Sequence, residues 1–210
     1  MQVIKITTRP MMSNTYVFFK EGERQAIVVD PAFEGDRIIR CLEEEELTCQ
    51  AILLTHGHFD HISAVDELRD KYGALAYIHQ LDADMLGDPE KNAGGLMGMQ
   101  LKIKPADRLV QDRDVLHLAG LDIVVLHTPG HTPGSACYIV EGCIFTGDTL
   151  FAASIGRTDF PGGSMEQMMA SLEKLRNLQG DYIVYPGHME SSSLAHEREN
   201  NPYMNQWPLT

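Results

Sequence analysis

Thr55-His56-Gly57-His58-Phe59-Asp60-His61 follows the short apolar run Ala51-Ile52-Leu53-Leu54. The stretch reads H-x-H-x-D-H. It places four potential metal ligands, His56, His58, Asp60 and His61, where a strand is predicted to end. Imidazole and carboxylate donors together suit zinc, iron or manganese. Packing gives no reason to gather so many ionisable groups behind a buried strand. A solvated His-rich loop is the bland alternative, and the later histidines weigh against it.

Other predicted strand ends carry further ligand types. The loop Thr128-Pro129-Gly130-His131-Thr132-Pro133-Gly134 presents His131 between two Pro-Gly turns. Proline fixes φ and glycine permits sharp reversal, so the loop is pre-shaped, as a ligand position requires. Thr146-Gly147-Asp148 and Tyr185-Pro186-Gly187-His188 each follow a predicted strand. The candidate ligands are then His56, His58, Asp60, His61, His131, Asp148 and His188. Seven are too many for one tetrahedral zinc. They suit two divalent metals, zinc first, with iron or manganese accepted by the same donors. Spacing assigns His56, His58 and His131 to one metal and Asp60, His61 and His188 to the other, with Asp148 bridging. Asp60 and Asp148 are the expected catalytic carboxylates. Two metals about 3.5–4 Å apart can hold a nucleophilic hydroxide and polarise a carbonyl or phosphoryl oxygen. His79, His117, His127 and His196 fall in strand or helix patterns and read as hydrogen-bonded or surface residues. His127, nearest to the His131 loop, is the one that could support a ligand.

Outward from these motifs the chain alternates between two periods. Val3–Thr7, Thr15–Lys20 and Gln25–Asp30 read as consecutive antiparallel strands. Residues 34–46 carry Ile38, Ile39 and Leu42 at helical spacing and end in the acidic run Glu43–Glu46. The strand Ala51–Thr55, the helix Ser63–Tyr72 and the strand Ala74–His79 follow. Residues 82–98, rich in Gly and Met, read as a short helix and a mobile loop or lid. From Asp107 strands return, at Val115–Leu118, Leu121–His127, Ala136–Val140 and Cys143–Thr146. Met165–Leu178 is the clearest helix, Tyr182–Tyr185 the last strand and Leu194–Asn200 a short terminal helix. The two halves share an element order, which predicts two sheets packed face to face with helices outside. No Pro-, Gly- or Ser-rich linker divides them, so residues 1–210 are expected to form a single domain.

The 210 residues include 43% hydrophobic and 22% charged side chains, ordinary for a globular protein. No apolar run approaches the roughly 18–20 residues that span a bilayer, and the N-terminus has no signal-peptide pattern. The formal charge of −13 argues against DNA or RNA as partner. Cys41, Cys49, Cys137 and Cys143 form no C-x-x-C pair and are expected as free thiols in a reducing cytoplasm. No sequence pattern fixes the oligomeric state.

The full ligand set resembles that of the metallo-β-lactamase superfamily, in the family's order and at comparable intervals. The resemblance implies an α/β fold, an αβ/βα four-layer sandwich of two mixed sheets flanked by helices, with the site at one sheet edge. Thr128–Thr132, Gly147-Asp148-Thr149-Leu150-Phe151, Gly156-Arg157-Thr158-Asp159 and Pro186-Gly187-His188 with Glu197, Asn201 and Pro202 resemble the glyoxalase II-like (hydroxyacylglutathione hydrolase-like) branch. Those enzymes hydrolyse S-D-lactoylglutathione, a small-molecule thioester, by attack of metal-bound hydroxide. The larger members carry a further C-terminal helical domain; this chain resembles the shorter single-domain type. Arg157 and Asp159 are the possible substrate loop, or a loop-closing ion pair beside the site.

Gly156–Phe160 also resembles the persulfide dioxygenases of the superfamily. They use one iron held by two histidines and an aspartate, here His56, His131 and Asp148. A lactonase is a further hydrolytic alternative. A nuclease is disfavoured by the charge, a β-lactamase by the second-site ligands, and a non-catalytic metal module by the number of ligands.

Overall fold

The computed structural model describes residues 1–205. Its first sheet begins as a meander in which β1 (Gln2–Thr8), β2 (Ser13–Phe19) and β3 (Gln25–Val29) pair antiparallel. Helix α1 (Gly35–Glu44) returns the chain, so that β4 (Thr48–Leu53) lies parallel to β3. Helices α2 (Phe59–Ile62) and α3 (Val65–Tyr72) do the same for β5 (Leu75–His79), and β6 (Arg108–Val110) extends the parallel side. The second sheet starts as the antiparallel run β7 (Val115–Leu118), β8 (Leu121–His127), β9 (Ala136–Val140) and β10 (Cys143–Gly147). A small hairpin, β11 (Leu150–Phe151) and β12 (Ser154–Ile155), precedes helix α4 (Met165–Arg176). That helix crosses over to β13 (Ile183–Pro186), parallel to β10, and β14 (Ser192–Ser193) edges the sheet. Helices α5 (Leu194–Asn200) and α6 (Pro202–Asn205) follow. The sheet orders are β1-β2-β3-β4-β5-β6 and β14-β13-β10-β9-β8-β7.

Three apolar clusters stack into the αβ/βα sandwich. Side chains along a strand alternate between its two faces. On β3, Ile27 and Val29 face the layer between the sheets, while Ala26 and Val28 face α1 and α3. On β9 and β10, Tyr138 and Phe145 point into the middle layer, and Cys137 and Ile144 lie under α4 with Met168, Leu172 and Leu175. Both faces are buried, so these strands read as apolar runs instead of alternating patterns. Phe145 stacks on Phe18 from the opposite sheet, with centroids 4.9 Å apart. Helix α4 begins where the Ser164 hydroxyl accepts from the Gln167 amide, and Lys174 and Arg176 stand in its last turn, matching its dipole. Buried Glu197 accepts from Ala153 N, Ser192 Oγ and Asn201 Nδ2, tying α5 to the β11–β12 hairpin.

The expected α/β architecture is present, and the differences are local. β4 ends at Leu53, two residues before the predicted Thr55, because the Thr55 amide turns to Asp30 instead of a neighbouring strand. The helix expected over Ser63–Tyr72 is α3, starting at Val65, and a separate short helix, α2, lies before it within the histidine stretch. Around residues 82–98 lie two 3-10 helices, Gln80–Met85, which overlaps the start of the stretch, and Gly95–Met97. Pro202 ends α5 but also opens α6. The two-residue strands are too short to leave a periodic signal. Cys49 and Cys137 are buried free thiols, and burial pushes both up to about 12. Residues 206–210 of the expected single domain lie outside the described residues. Among the described residues no helix is long and apolar enough to cross a membrane.

His79, at the end of β5, is buried and stacks on His127, at the end of β8, with centroids 4.0 Å apart. Burial, and then the neighbouring imidazole, lower its pKa to about 4. The unfolded chain therefore binds this proton from about pH 6.5 downward, and the folded chain does not. The contribution of neutral His79 to stability is complete above pH 6.5 and is lost as pH falls to about 4. Thermal melts across this range should show a shallower acid decline for His79→Gln than for the parent.

Candidate metal centre

All the candidate ligands follow the carboxyl ends of strands, where α/β sheets place their ligand sites. The two sheets are stitched together there. Tyr138 donates its hydroxyl to the Leu54 carbonyl at 2.8 Å, just before the histidine stretch. Tyr16 donates to the Pro186 carbonyl at 2.8 Å, just before His188. The Ala136 amide donates to Thr55 O, the Asn14 amide to Gly187 O and the Gly187 amide to Gly147 O. Each bond crosses from one ligand-bearing segment to another element, so the ligand loops share one frame.

Asp30 begins the site. Its φ of 47° lies in the left-handed region, sparsely used but tolerated best by Asp and Asn. Its carboxylate accepts from the Thr55 amide at 2.7 Å, the Thr55 hydroxyl at 2.5 Å and His61 Nδ1 at 3.0 Å. That last bond fixes the His61 tautomer and leaves Nε2 facing the cluster. His131 is fixed in the same way, by donating from Nδ1 to the Arg157 carbonyl at 2.8 Å. His58 stands at the N-cap of α2, while Asp60 and His61 occupy its first turn.

The side chains converge in two groups. Ligand atoms of His56, His58 and His131 lie within 4.8 Å of one another, as do those of Asp60, His61 and His188. His58 Nδ1 is 2.9 Å from His131 Nε2, and His61 Nε2 is 3.3 Å from His188 Nε2. Asp60 Oδ2 lies 3.4 Å from His188 Nε2 and 3.7 Å from His61 Nε2. Asp148 stands between the groups: Oδ2 is 3.5 Å from His131 Nε2 and 3.6 Å from His188 Nε2, and Oδ1 is 3.5 Å from His61 Nε2. A third convergence, Asp30 with His56 and His61, shares two members with these. The Asp30 oxygens are already taken by donors, so Asp30 orients and does not ligate.

These residues fit a divalent cation. His56 Nε2 and Asp148 Oδ1 are buried without a hydrogen-bond partner, and a buried polar atom left unpaired is costly. The donors are nitrogen and oxygen only, a set that zinc, iron and manganese accept. A Cβ on Gly187 would stand 2.3 Å from Asp148 Oδ1 and 2.7 Å from His61 Cε1, so glycine keeps the bridge region open.

The two groups differ in charge. Burial holds His56 well below the ordinary histidine value, and burial with His131 pushes His58 down to about 3. Burial opposes charge on His61 as well, but Asp60, Asp148 and Asp30 outweigh it and raise it to about 10. At Asp60 burial works upward, yet His61 and His188 hold its carboxyl below the usual carboxylate range. In the first group His56 and His58 are neutral bases. The other is rich in carboxylate, and a cation can replace the proton that His61 would otherwise carry.

Three supporting residues were not singled out from the sequence. Asp30 ends an apolar strand just as Asp148 does, and that shared pattern was a usable signal. Ser13, opposite His188 at the start of β2, donates its hydroxyl to Asp60 Oδ2 at 3.0 Å. Asp82 is fully buried and accepts from the Gly57 amide at 3.1 Å, the Thr132 hydroxyl at 2.6 Å and the Gly134 amide at 2.6 Å. It clamps the histidine stretch to the His131 loop, and no local pattern marks it. Gly57 must be glycine here, since a Cβ would meet Met85 Cβ at 2.6 Å. Arg157 donates to both oxygens of Asp159, at 2.7 and 2.8 Å, at the rim of the site. His127 donates from Nε2 to the Pro133 carbonyl, 2.8 Å away, and touches none of the clustered ligands through that bond.

The metallo-beta-lactamase superfamily model matches residues 8–188, which contain every candidate ligand. The chain belongs to the metallo-beta-lactamase superfamily. Within it, the chain is 38% identical over 204 residues to a probable metallo-hydrolase YqgX of Bacillus subtilis (strain 168), covering 95% of this chain and 96% of that one. It is 35% identical over 191 residues to a hydroxyacylglutathione hydrolase GloC of Haemophilus influenzae (strain ATCC 51907 / DSM 11121 / KW20 / Rd), covering 88% and 90%. Among solved structures of the superfamily, BLEG-1 B3 metallo-beta-lactamase superposes with a TM-score of 0.93 at 37% identity, covering 97% of this chain and 100% of that one. TTHA1623, solved in a di-iron-bound form, superposes with a TM-score of 0.82 at 31% identity, covering 95% and 99%.

The clamp at Asp82 touches no candidate ligand, so its removal separates loop positioning from ligation. Asp82→Asn should weaken metal retention about tenfold, read by competition with a chromogenic chelator. All seven candidate ligands remain in that variant.

Proposed function

We propose that this chain is a dinuclear metal-dependent hydrolase of small thioesters, with S-D-lactoylglutathione as the reference substrate. The observation that carries the reading is the carboxylate Asp148 shared between two ligand groups, the second of which includes Asp60. His56, His58 and His131 would hold one cation, Asp60, His61 and His188 the other, and Asp148 would serve both. Two bound divalent cations supply an activated water and an electrophile for the carbonyl oxygen. Zinc is the expected occupant, and the di-iron-bound relative supports iron as an alternative.

The chain's own residues supply the remainder. Asp30 and the Arg157 carbonyl hold His61 and His131 in fixed tautomers. Ser13 holds the Asp60 carboxylate in place. Phe59 and Phe160 line the cleft beside the ligands. A thiolate is a good leaving group, so the site needs no strong general acid beside the scissile bond. The 35% identity to a hydroxyacylglutathione hydrolase supports the thioester class. The free cysteines fit a cytoplasmic setting, and residues 1–210 act as a single domain in this reading. A one-iron dioxygenase using His56, His131 and Asp148 would leave Asp60, His61 and His188 gathered around no partner, which counts against it.

Metal-reconstituted protein should release free thiol from S-D-lactoylglutathione or from simpler acyl thioesters, and a chelator should abolish the release. Absence of metal-dependent thiol release from every thioester tried would sink the proposal. Asp60→Ala should lower kcat/KM at least about 100-fold. The same variant should bind one metal per chain where the parent binds two, measured by elemental analysis.

A further inference from the structure

The walls of the cleft carry information beyond the ligands. A cleft of about 220 Å³ opens over His58, Asp60, His131, Asp148 and His188. Its remaining walls include Met11, Phe59, Leu96, Met97 and Phe160. Leu96 and Met97 are 64% and 58% exposed, although both are large apolar side chains. The chain holds them there deliberately. The 3-10 helix that carries them is pinned by Met97 N and Met99 N donating to Gly94 O, and by Gly95 N donating to Pro89 O. Asn92 O in turn accepts from the Phe59 amide at the start of α2. Met12, beside Met11, and Met189, beside His188, are also more than half exposed. Apolar surface gathered at the mouth of a site is an energetic cost that a bound apolar group removes.

Charge recognition in this wall is limited to one residue. Arg157 is the one cationic side chain among the described residues that line the cleft. Its Nε and Nη2 already donate to Asp159, and its guanidinium lies 3.8 Å over the Phe160 ring. Among the described residues lining the cleft there is no lysine and no second arginine to receive a carboxylate. Glutathione carries two carboxylates and an ammonium group, and placing them against Leu96, Met97 and Phe160 would cost their hydration with no partner in return. The chain's formal charge of −13 adds an unfavourable field for an anionic arm. Methionine and leucine walls instead accept flexible apolar groups of varied shape.

The geometry points to an acyl thioester whose organic arm is uncharged and apolar, an aliphatic acyl group on a neutral thiol, in preference to a glutathione thioester. This assignment rests on the thioesterase reading but concerns the wall and not the metal chemistry.

The test uses the metal-loaded full chain. Acetyl and hexanoyl thioesters of N-acetylcysteamine, an uncharged thiol, are compared with S-D-lactoylglutathione. Each buried methylene allows up to about fourfold in binding, so hexanoyl should exceed acetyl in kcat/KM by at least about tenfold. It should also exceed S-D-lactoylglutathione. Equal rates along the acyl series, or a preference for S-D-lactoylglutathione, would overturn the assignment. Calorimetry with S-hexyl-N-acetylcysteamine and S-hexylglutathione, which cannot be hydrolysed, reads the wall without turnover. The neutral thioether should bind about tenfold tighter, and equal or tighter binding of S-hexylglutathione would falsify the assignment. If every thioester is inert while the thioethers separate as expected, the hydrolase reading falls and the wall assignment stands. Leu96→Glu should erase the gain from the hexyl chain with metal content and Tm unchanged; an undiminished gain would count against the wall.

Discussion

The carboxylate of Asp30 is buried, and it is tolerable there because three donors meet it. Two come from Thr55 and one from His61. A buried carboxylate with a missing partner is expensive, so the bonds enforce each other. They turn the chain out of β4, start the histidine stretch at a set angle and orient the first imidazole of the second ligand group. Asp148 and Asp60 are held among histidines on the same terms. The site is a packed arrangement of opposite charges and neutral bases, held in the layer where the two sheets meet.

This arrangement needs both sheets. Asp30 and the histidine stretch come from the first, while His131, Asp148 and His188 come from the second. The hydroxyls of Tyr138 and Tyr16 reach across the interface to carbonyls directly before the ligand segments. The aromatic layer beneath, with Phe18 on Phe145 and Phe145 on Tyr185, sets the separation of the sheets and therefore of the two ligand groups. Fold and site are in this sense one construction, and the clamp at Asp82 adds the link between loops that the tyrosines leave free.

Much of this was legible before the structure. His56, His58, Asp60 and His61 sit close enough in sequence for local geometry to bring them together, and Pro-Gly loops announced His131 and His188. Strands buried on both faces left apolar runs that could be read as strands, and α4 left a helical stripe. What could not be read depends on distant segments meeting. Asp82 faces Gly57 and Gly134 only after β5 has been laid against β4, and nothing around it in sequence says so. Ser13 finds Asp60 only because β2 starts beside His188. Residues 82–98 read as a short helix and a mobile loop or lid; a short 3-10 helix does open the stretch, and backbone bonds to Gly94 and Pro89 fold the loop into turns that show Leu96 and Met97 to the cleft. Hydrogen bonds of that kind leave no periodicity.

Cys49 and Cys137 are sealed in the layers behind the site, and burial raises both thiols to about 12. The thiolate is the form that binds soft metals, exchanges with disulfides and reacts with alkylating agents. At neutral pH these two side chains supply almost none of it. Copper(I) and other thiophilic ions therefore find no foothold at these two positions. The same seal makes the folded scaffold indifferent, at these two positions, to swings in the redox state of its surroundings.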